Sequence, residues 1–143
     1  VAKYKYDNEG GQIEEAYYKD ENLIWKTKHL NEYDSYGNLK ENILLRSDDK
    51  ISLMWKYEYD DLGRRVKSKL LNGNSDIRNT YIKEYDTQGN VIKEVKSEGS
   101  SENIIYSYIF NYEYDVNLNW TKKTRFSNGK ASKIIERQIV YYD

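Results

Sequence analysis

The sequence predicts an all-β fold in which β-hairpin repeats form one continuous, twisted and curled open sheet, a meander of about eleven antiparallel strands. Three observations predict this fold: a Tyr-Asp pair recurs at spacings of 26 to 29 residues, long segments alternate apolar and polar residues, and 16 Tyr occur with no Pro. Tyr favours half-buried strands, and without Pro every backbone N–H can pair. We therefore expect residues 1–143 to form a single domain of five repeats plus a terminal strand.

The first element of each repeat is a long strand. The odd positions of segment 51–60 are apolar or aromatic, and the even positions are Ser52, Met54, Lys56, Glu58 and Asp60. Segment 104–115 shows the same alternation. A period of two over ten residues predicts a strand with one packed and one solvated face.

Each long strand ends at a turn of the form Asp-x-x-Gly. The structural turn residues are Asp7, Gly10, Asp34, Gly37, Asp60, Gly63, Asp86, Gly89 and Asp115. The pattern predicts a three-residue loop with a G1 bulge, in which Asp accepts hydrogen bonds from turn amides and Gly adopts a positive φ.

The fifth turn departs from this pattern, because Leu118 occupies the glycine position. A branched residue in the left-handed conformation costs about 1–2 kcal/mol. We therefore expect the turn to be remodelled, with Asn117 or Asn119 in the left-handed position.

A second, shorter strand follows each turn, and a polar linker follows that strand. The linkers are "KDEN", "SDDK", "NGNSD", "SEGSSEN" and "SNGKAS". This order predicts Asp-Gly turns along one edge of the sheet and irregular connections along the other. The last Tyr-Asp pair, Tyr142-Asp143, marks the terminal strand.

Five segments share the pattern: "YKYDNEGGQI", "NEYDSYGNLKE", "YEYDDLGRRVK", "KEYDTQGNVIKE" and "YEYDVNLNWTKK". They resemble the YD repeats of Rhs-type bacterial proteins, and the resemblance spans nearly the whole chain. It implies a continuous sheet in a bacterial surface or secreted protein, where long arrays form hollow shells around toxin domains or take part in adhesion and carbohydrate binding. Five repeats are too few for a closed shell, and no toxin or protease-like segment accompanies them.

The composition limits the kinds of partner and the cellular location that we expect. The net charge is −1, with 23 basic and 24 acidic residues, so no basic stripe predicts nucleic-acid binding. No apolar run is long enough for a membrane span, and no cysteine is present. The sequence starts at Val1 without a signal peptide. We expect a targeting segment to have been removed, and the resemblance implies an extracellular, cell-surface or periplasmic location.

Catalytic and metal sites are not predicted. His29 is the sole histidine and lies on the same strand face as Trp25 and Tyr33, so we expect a structural role. The recurring aspartates are explained by the turns, which require them five times. No cofactor is expected, and a glycan-active enzyme with a carboxylate pair stays a remote alternative.

The aromatic rows give the strongest functional signal. The candidate glycan-binding aromatics are Trp25, Trp55, Tyr57, Tyr81 and Tyr112. They form either a platform on which sugar rings stack or the packed layer of a thin sheet. The sequence predicts a non-catalytic surface or secreted repeat module that acts as a scaffold or adhesive element, with a carbohydrate-binding module as the alternative.

The apolar face of such a sheet needs a cover. The sheet curls on itself, a second copy packs face to face, or neighbouring repeats continue the structure. Natural twist favours a curl with Tyr33, Tyr59, Tyr85 and Tyr114 inside. The edge strands near Tyr4 and Tyr141 are then where another protein, or further repeats, add by strand pairing.

Overall fold

Eleven antiparallel strands follow one another in chain order across one open sheet. The computed structural model describes residues 1–100 and 103–142, and this part of the chain contains no helix. Each described strand contacts only its neighbours in the sequence, so the sheet does not close on itself. The predicted all-β open meander is confirmed, and the curling of its tyrosine row stays a prediction.

Longer and shorter strands alternate through the middle of the sheet, but not at its two ends. Their bounds are β1 Ala2–Tyr6, β2 Gln12–Lys19, β3 Asn22–Tyr33, β4 Leu39–Leu45, β5 Ile51–Tyr59, β6 Arg65–Asn72, β7 Ile77–Tyr85, β8 Val91–Glu98, β9 Asn103–Tyr114, β10 Trp120–Ser127 and β11 Lys130–Glu136. The odd-numbered strands β1, β3, β5, β7 and β9 end at the tyrosine of a Tyr-Asp pair. Across residues 1–100 and 103–142, no helix is long and apolar enough to cross a membrane.

A β-bulge accompanies every Asp-centred turn. In the second repeat, Glu32 opposes Glu41 and Tyr33 opposes Leu39, which leaves Lys40 as the extra residue. The register shifts in the same way beside the other four tyrosines of this kind. Bulges bend a strand and increase its twist, so the same distortion recurs along one edge of the sheet.

The two faces of the sheet differ in composition. The aromatic face carries Trp55 and Tyr57, whereas the opposite face, here called the charged face, carries Met54, Leu71 and a series of ion pairs. The prediction that the even positions of segment 51–60 are solvated is wrong at Met54, which is only 9% exposed. Met54 lies between Ile43 and Leu71 in the register, and these three side chains form an apolar strip across β4, β5 and β6.

Ion pairs cross the charged face between adjacent strands. The pairs join Lys26 to Glu14, Lys56 to Glu41, Lys93 to Glu84 and Lys122 to Glu113, with N–O distances of 2.5 to 3.0 Å. Exposed pairs of this kind contribute little stability individually. Each of these four lysines of the charged face therefore has a carboxylate partner.

The connections on the second edge are more regular than the polar linkers predicted. Arg46–Lys50 and Asn72–Asp76 form the same three-residue loop as the Asp-Gly turns, with φ values of 58° at Asp49 and 67° at Ser75. Asn72 accepts hydrogen bonds from the Asn74 and Asp76 amides, as Asp does elsewhere. A side chain that accepts hydrogen bonds and a residue with a positive φ are therefore sufficient to form this loop. The Asp-x-x-Gly sequence is not required. Ser101 and Glu102 of the fourth linker lie outside the described residues.

Candidate functional site

The Asp-centred turns have the predicted geometry. In the second repeat, the Asp34 amide donates to the Asn38 carbonyl at 2.9 Å, and the Gly37 amide donates to the Asp34 carbonyl at 3.1 Å. Asp34 Oδ1 accepts the Tyr36 and Asn38 amides, each at 2.9 Å. Gly37 has a φ of 83°, which a residue without a Cβ adopts at no steric cost. The turn prediction is confirmed.

Hydrogen bonding keeps the turn carboxylates ionised. The Asn38 side chain and amide hold the pKa of Asp34 below its usual value, and the Asn31 side chain does the same for the pKa of Asp7. At Asp60 and Asp86, burial raises the pKa, but hydrogen bonds from the turn and from side chains outweigh it. Carboxyl groups with lowered pKa values are poor general acids near neutral pH.

The expected remodelling of the fifth turn is wrong. Leu118 itself adopts a φ of 61°, while Asn117 and Asn119 do not have a positive φ. The Leu118 amide donates to the Asp115 carbonyl at 3.1 Å, and the Asn119 amide donates to Asp115 Oδ1 at 3.0 Å. The loop therefore keeps the hydrogen bonds of the other turns and places an exposed leucine in the strained position.

Tyrosine hydroxyls join each repeat to the one before it. Tyr33 donates to Asp7 at 2.9 Å, and Tyr114 donates to Asp86 at 2.7 Å. Tyr59 and Tyr85 reach the preceding repeat at a backbone carbonyl instead, at 2.8 and 2.9 Å. We call this contact the tyrosine link. It explains why tyrosine rather than phenylalanine recurs beside the turn.

The last tyrosine link is made by Tyr141 and not by Tyr142. The Tyr141 hydroxyl donates to Asp115 Oδ2, whereas Tyr142 is 93% exposed. The predicted terminal strand is β11, and it ends at Glu136, before the Tyr142-Asp143 pair. Tyr141 lies beyond the edge strand, while Tyr4 lies within edge strand β1 as predicted. Asp143 is outside the described residues.

The tyrosine links favour the protonated hydroxyl. Burial and the nearby Asp86 carboxylate raise the pKa of Tyr114 to about 12. Burial and the Asp7 carboxylate likewise raise the pKa of Tyr33. The link thus joins a carboxylate that stays ionised to a phenol that stays protonated, which is the combination that gives a charge-assisted hydrogen bond.

The structure brings three of the five candidate glycan-binding aromatics together. Trp55 and Tyr57 stack with ring centroids 6.1 Å apart and planes 3° apart, and Tyr81 lies 5.7 Å from Trp55. Trp25 is separate and stacks on Tyr17. Tyr112, in β9, packs near Tyr114 and Trp120. All five have partly accessible side chains.

Several of these rings carry a cation over one face, which the sequence did not reveal. Arg65 lies 5.0 Å from the Tyr57 centroid, and Lys96 lies 5.3 Å from that of Tyr81. Lys123 lies 5.3 Å from the Tyr112 centroid. A cation in this position occupies a surface on which a sugar ring would stack.

His29 belongs to a row of hydrogen-bonded polar side chains. Its Nδ1 lies 3.3 Å from the Asn42 amide nitrogen, Asn42 donates to Asn31 at 2.7 Å, and Asn31 donates to Asp7 at 2.8 Å. This row of side chains connects β3 and β4 to the first Asp-centred turn. The contacts agree with the structural role predicted for His29.

Comparison with known proteins finds similarity to solved structures only at a low level. No family model matches the chain, and no curated protein matches it. The chain is similar to a chain in the structure of the Photorhabdus luminescens Tc holotoxin pore with the mutation TccC3-D651A, at 13% sequence identity and a TM-score of 0.36. The similarity covers 94% of this chain and 9% of that one. At these values it carries no argument about function.

Proposed function

We propose that this chain is a non-catalytic repeat module of a bacterial surface or secreted protein, in which it acts as a scaffold or adhesive element. The observation that supports the proposal is the repetition of one structural unit, in which an aspartate builds the turn and a tyrosine links the next repeat to it. Among the described strands, contacts run only between sequence neighbours, as in other repeat arrays. Such an array extends by addition of units.

The same repetition argues against catalysis. An active site needs one asymmetric pocket in which particular groups have a matched set of pKa values. Here the recurring carboxylates are engaged by turn amides, and their pKa values are lowered alike. The repeated acids are thus explained by structure, and none is set apart as an acid or a nucleophile.

A turnover assay tests the proposal. The purified chain is incubated with a panel of neutral and acidic polysaccharides, and the products are separated by anion-exchange chromatography. We expect no new oligosaccharides at any time point. Release of oligosaccharides that disappears when one carboxylate is substituted, for example Asp60→Asn, would show that the chain is an enzyme.

Carbohydrate binding is a second candidate function, favoured by the exposed stack of Trp25 on Tyr17. The two rings are 42% and 38% exposed, with centroids 6.1 Å apart. Neither ring has a lysine or arginine over it among the described residues. A flat, uncovered aromatic surface is suited to stacking of a neutral sugar ring.

Glycan-array screening with matched variants tests this candidate. We expect Trp25→Ala to abolish binding to a neutral glycan, whereas Tyr36→Ala should leave it unchanged because Tyr36 lies at a turn tip and is 89% exposed. Absence of any neutral-glycan signal for the parent chain would remove this candidate function.

Strand pairing at the edges is the proposed route to a protein partner. β1 and β11 each have one neighbouring strand in the sheet. The unpaired side of an edge strand presents backbone N–H and C=O groups that another strand can pair with. Further repeats or another protein would extend the sheet there, and cross-linking of the parent chain to a β11 peptide would detect such pairing.

A further inference from the structure

A small groove lies on the aromatic face at the C-terminal end of the sheet. It has a volume of about 220 Å³ and is lined by Tyr108 and Phe110 of β9, Lys123 and Arg125 of β10, Lys133 and Ile135 of β11, and Glu94 of β8. The register places Arg125 between Phe110 and Lys133. One wall of the groove is therefore aromatic, and its rim is basic.

The rings hold two of the three cations in place. The Lys123 Nζ lies 4.5 Å from the Phe110 centroid, and the Arg125 guanidinium lies 4.4 Å from the Tyr108 centroid. Arg125 Nε also donates to the Ser132 hydroxyl at 3.1 Å. Side chains ordered in this way lose less conformational freedom when they bind an anion.

The cations of the groove lack the carboxylate partners found on the charged face. Among the described residues, no carboxylate oxygen lies within 4.0 Å of a side-chain nitrogen of Lys123, Arg125 or Lys133. Lys122, the next residue along β10, pairs with Glu113 at 2.9 Å on the opposite face. Arg125 and Lys133 oppose each other directly, although like charges in this position destabilise a sheet. An anion between them would remove that repulsion.

Glu94 is the one acidic residue of the groove. Its Oε1 accepts the Tyr106 hydroxyl at 2.8 Å, and no other bond to its side chain is formed by the described residues. With three cations and one carboxylate, the groove is basic and also offers an acceptor for a hydroxyl group. A ligand that carries both an anionic group and hydroxyl groups would satisfy both.

We propose that the groove formed by β9, β10 and β11 binds an acidic oligosaccharide, with a uronate carboxylate between Arg125, Lys123 and Lys133. The inference rests on the second candidate function in one respect: carbohydrate binding favours a sugar acid over other anions as the ligand. A nucleic-acid strand fits less well, because cations already cover the Tyr108 and Phe110 faces on which a base would stack. A uronate needs neither ring face, and its hydroxyl groups can donate hydrogen bonds to Glu94.

Calorimetric titration of the full chain tests the inference. The probes are trigalacturonate, neutral maltotriose, sodium sulfate and a single-stranded oligothymidylate. We expect trigalacturonate to bind and its affinity to fall at least roughly tenfold in the double variant Lys123→Gln with Arg125→Gln, because each lost charge-assisted bond is worth about a tenfold change or more. Lys122→Gln removes the same charge from the opposite face of β10 and should leave the affinity unchanged.

The exposed edge residue Lys133 provides an independent variant. Lys133→Gln is expected to retain the parent melting temperature and still weaken trigalacturonate binding, so a folding defect in the double variant would not obscure the result. Equal affinity in the parent and in Lys133→Gln, or no trigalacturonate binding at all, would overturn the inference. Maltotriose binding that depends on Trp25 would then leave the second candidate function standing.

The remaining probes identify the anion. If sulfate binds with the same dependence on Lys133 and trigalacturonate does not bind, the groove is a site for a free inorganic anion. That result would overturn the proposal that its ligand is an oligosaccharide. If the oligothymidylate binds as tightly as trigalacturonate, the proposal that the groove prefers acidic oligosaccharides to nucleic acids would be wrong. Trigalacturonate binding that weakens with added salt and is not matched by the other probes would support the inference.

Discussion

Replacing Leu118 by glycine should stabilise the chain, although glycine usually weakens a folded protein. Leu118 has a φ of 61° and occupies the position that Gly10, Gly37, Gly63 and Gly89 fill in the other turns. Its side chain is 68% exposed, so little packing is lost when it is removed. The substitution relieves backbone strain and changes little else in the folded state.

The magnitude follows from two opposing effects. The left-handed conformation costs a residue with a Cβ about 1–2 kcal/mol, and the greater freedom of glycine in the unfolded chain costs about 0.5–1 kcal/mol. The net gain is roughly 0.5–1 kcal/mol. For a chain of 143 residues, an unfolding entropy of about 2.1 cal/mol/K per residue makes 1 kcal/mol equivalent to about 3 °C. The melting temperature should therefore rise by roughly 2–3 °C.

Leu62→Gly is the matched control. Leu62 lies in the third turn, is 75% exposed and does not have a positive φ, so the same chemical change relieves no strain there. We expect Leu62→Gly to lower the melting temperature by about 2–3 °C, because only the entropic cost remains. Circular dichroism at one scan rate should place the two variants about 5 °C apart.

A melting temperature for Leu118→Gly that equals or falls below that of Leu62→Gly would refute the reasoning. Such a result would mean that the strain at Leu118 is absent in solution or that its side chain makes stabilising contacts. Either outcome would also remove the argument that the fifth turn copies the other four.

Three further predictions concern stability. Gly73→Ala should destabilise the chain by about 1–3 kcal/mol in urea unfolding, because a Cβ at Gly73 would lie 2.4 Å from the Ile51 carbonyl oxygen, a backbone atom that cannot easily move. Gly11→Ala should also destabilise the chain and raise the solvent accessibility of Tyr33, since the new Cβ would lie 2.1 Å from the Tyr33 hydroxyl, 2.6 Å from Asn31 Nδ2 and 2.8 Å from Asp7 Oδ2, and these hydrogen-bonded side chains would have to move apart. Because folding lowers the pKa values of the turn carboxylates from about 3.8, their stabilisation is complete above that pH and is lost as the pH falls below it. Folding raises the pKa of Tyr114 from 10.0 to about 12, so its contribution is complete below pH 10 and is lost as the pH rises towards 12. The urea midpoint should therefore be constant near neutral pH and fall below about pH 3.8 and above about pH 10.

The repeated elements could be predicted from the sequence because each depends on local chemistry. The Asp-x-x-Gly turns need a short acceptor and a residue that tolerates a positive φ, and both are visible in one copy and recur in three others. Strand alternation likewise identifies the aromatic face that carries Trp55 and Tyr57. These features do not depend on how one strand aligns with the next.

Features that depend on cross-strand register were missed. Met54 has only polar neighbours on its own face of β5, and the alignment with Ile43 and Leu71 explains its burial. Lys123 and Arg125 alternate in the segment "TKKTRF", which shows that they share a face, but the rings beneath them belong to β9. The regular turns of the second edge were missed because Asn72 and Ser75 replace the Asp and Gly that define the motif.

Hydrogen exchange in a Tyr114→Phe variant tests most directly that the chain is a linear array coupled by tyrosine links. The substitution removes the 2.7 Å bond to Asp86 and keeps the ring. Because each described strand contacts only its neighbours, we expect faster amide exchange in turn 86–90 and in β8, β9 and β10, with β1 to β4 unchanged. A uniform increase across all strands, or no change in turn 86–90, would contradict the account.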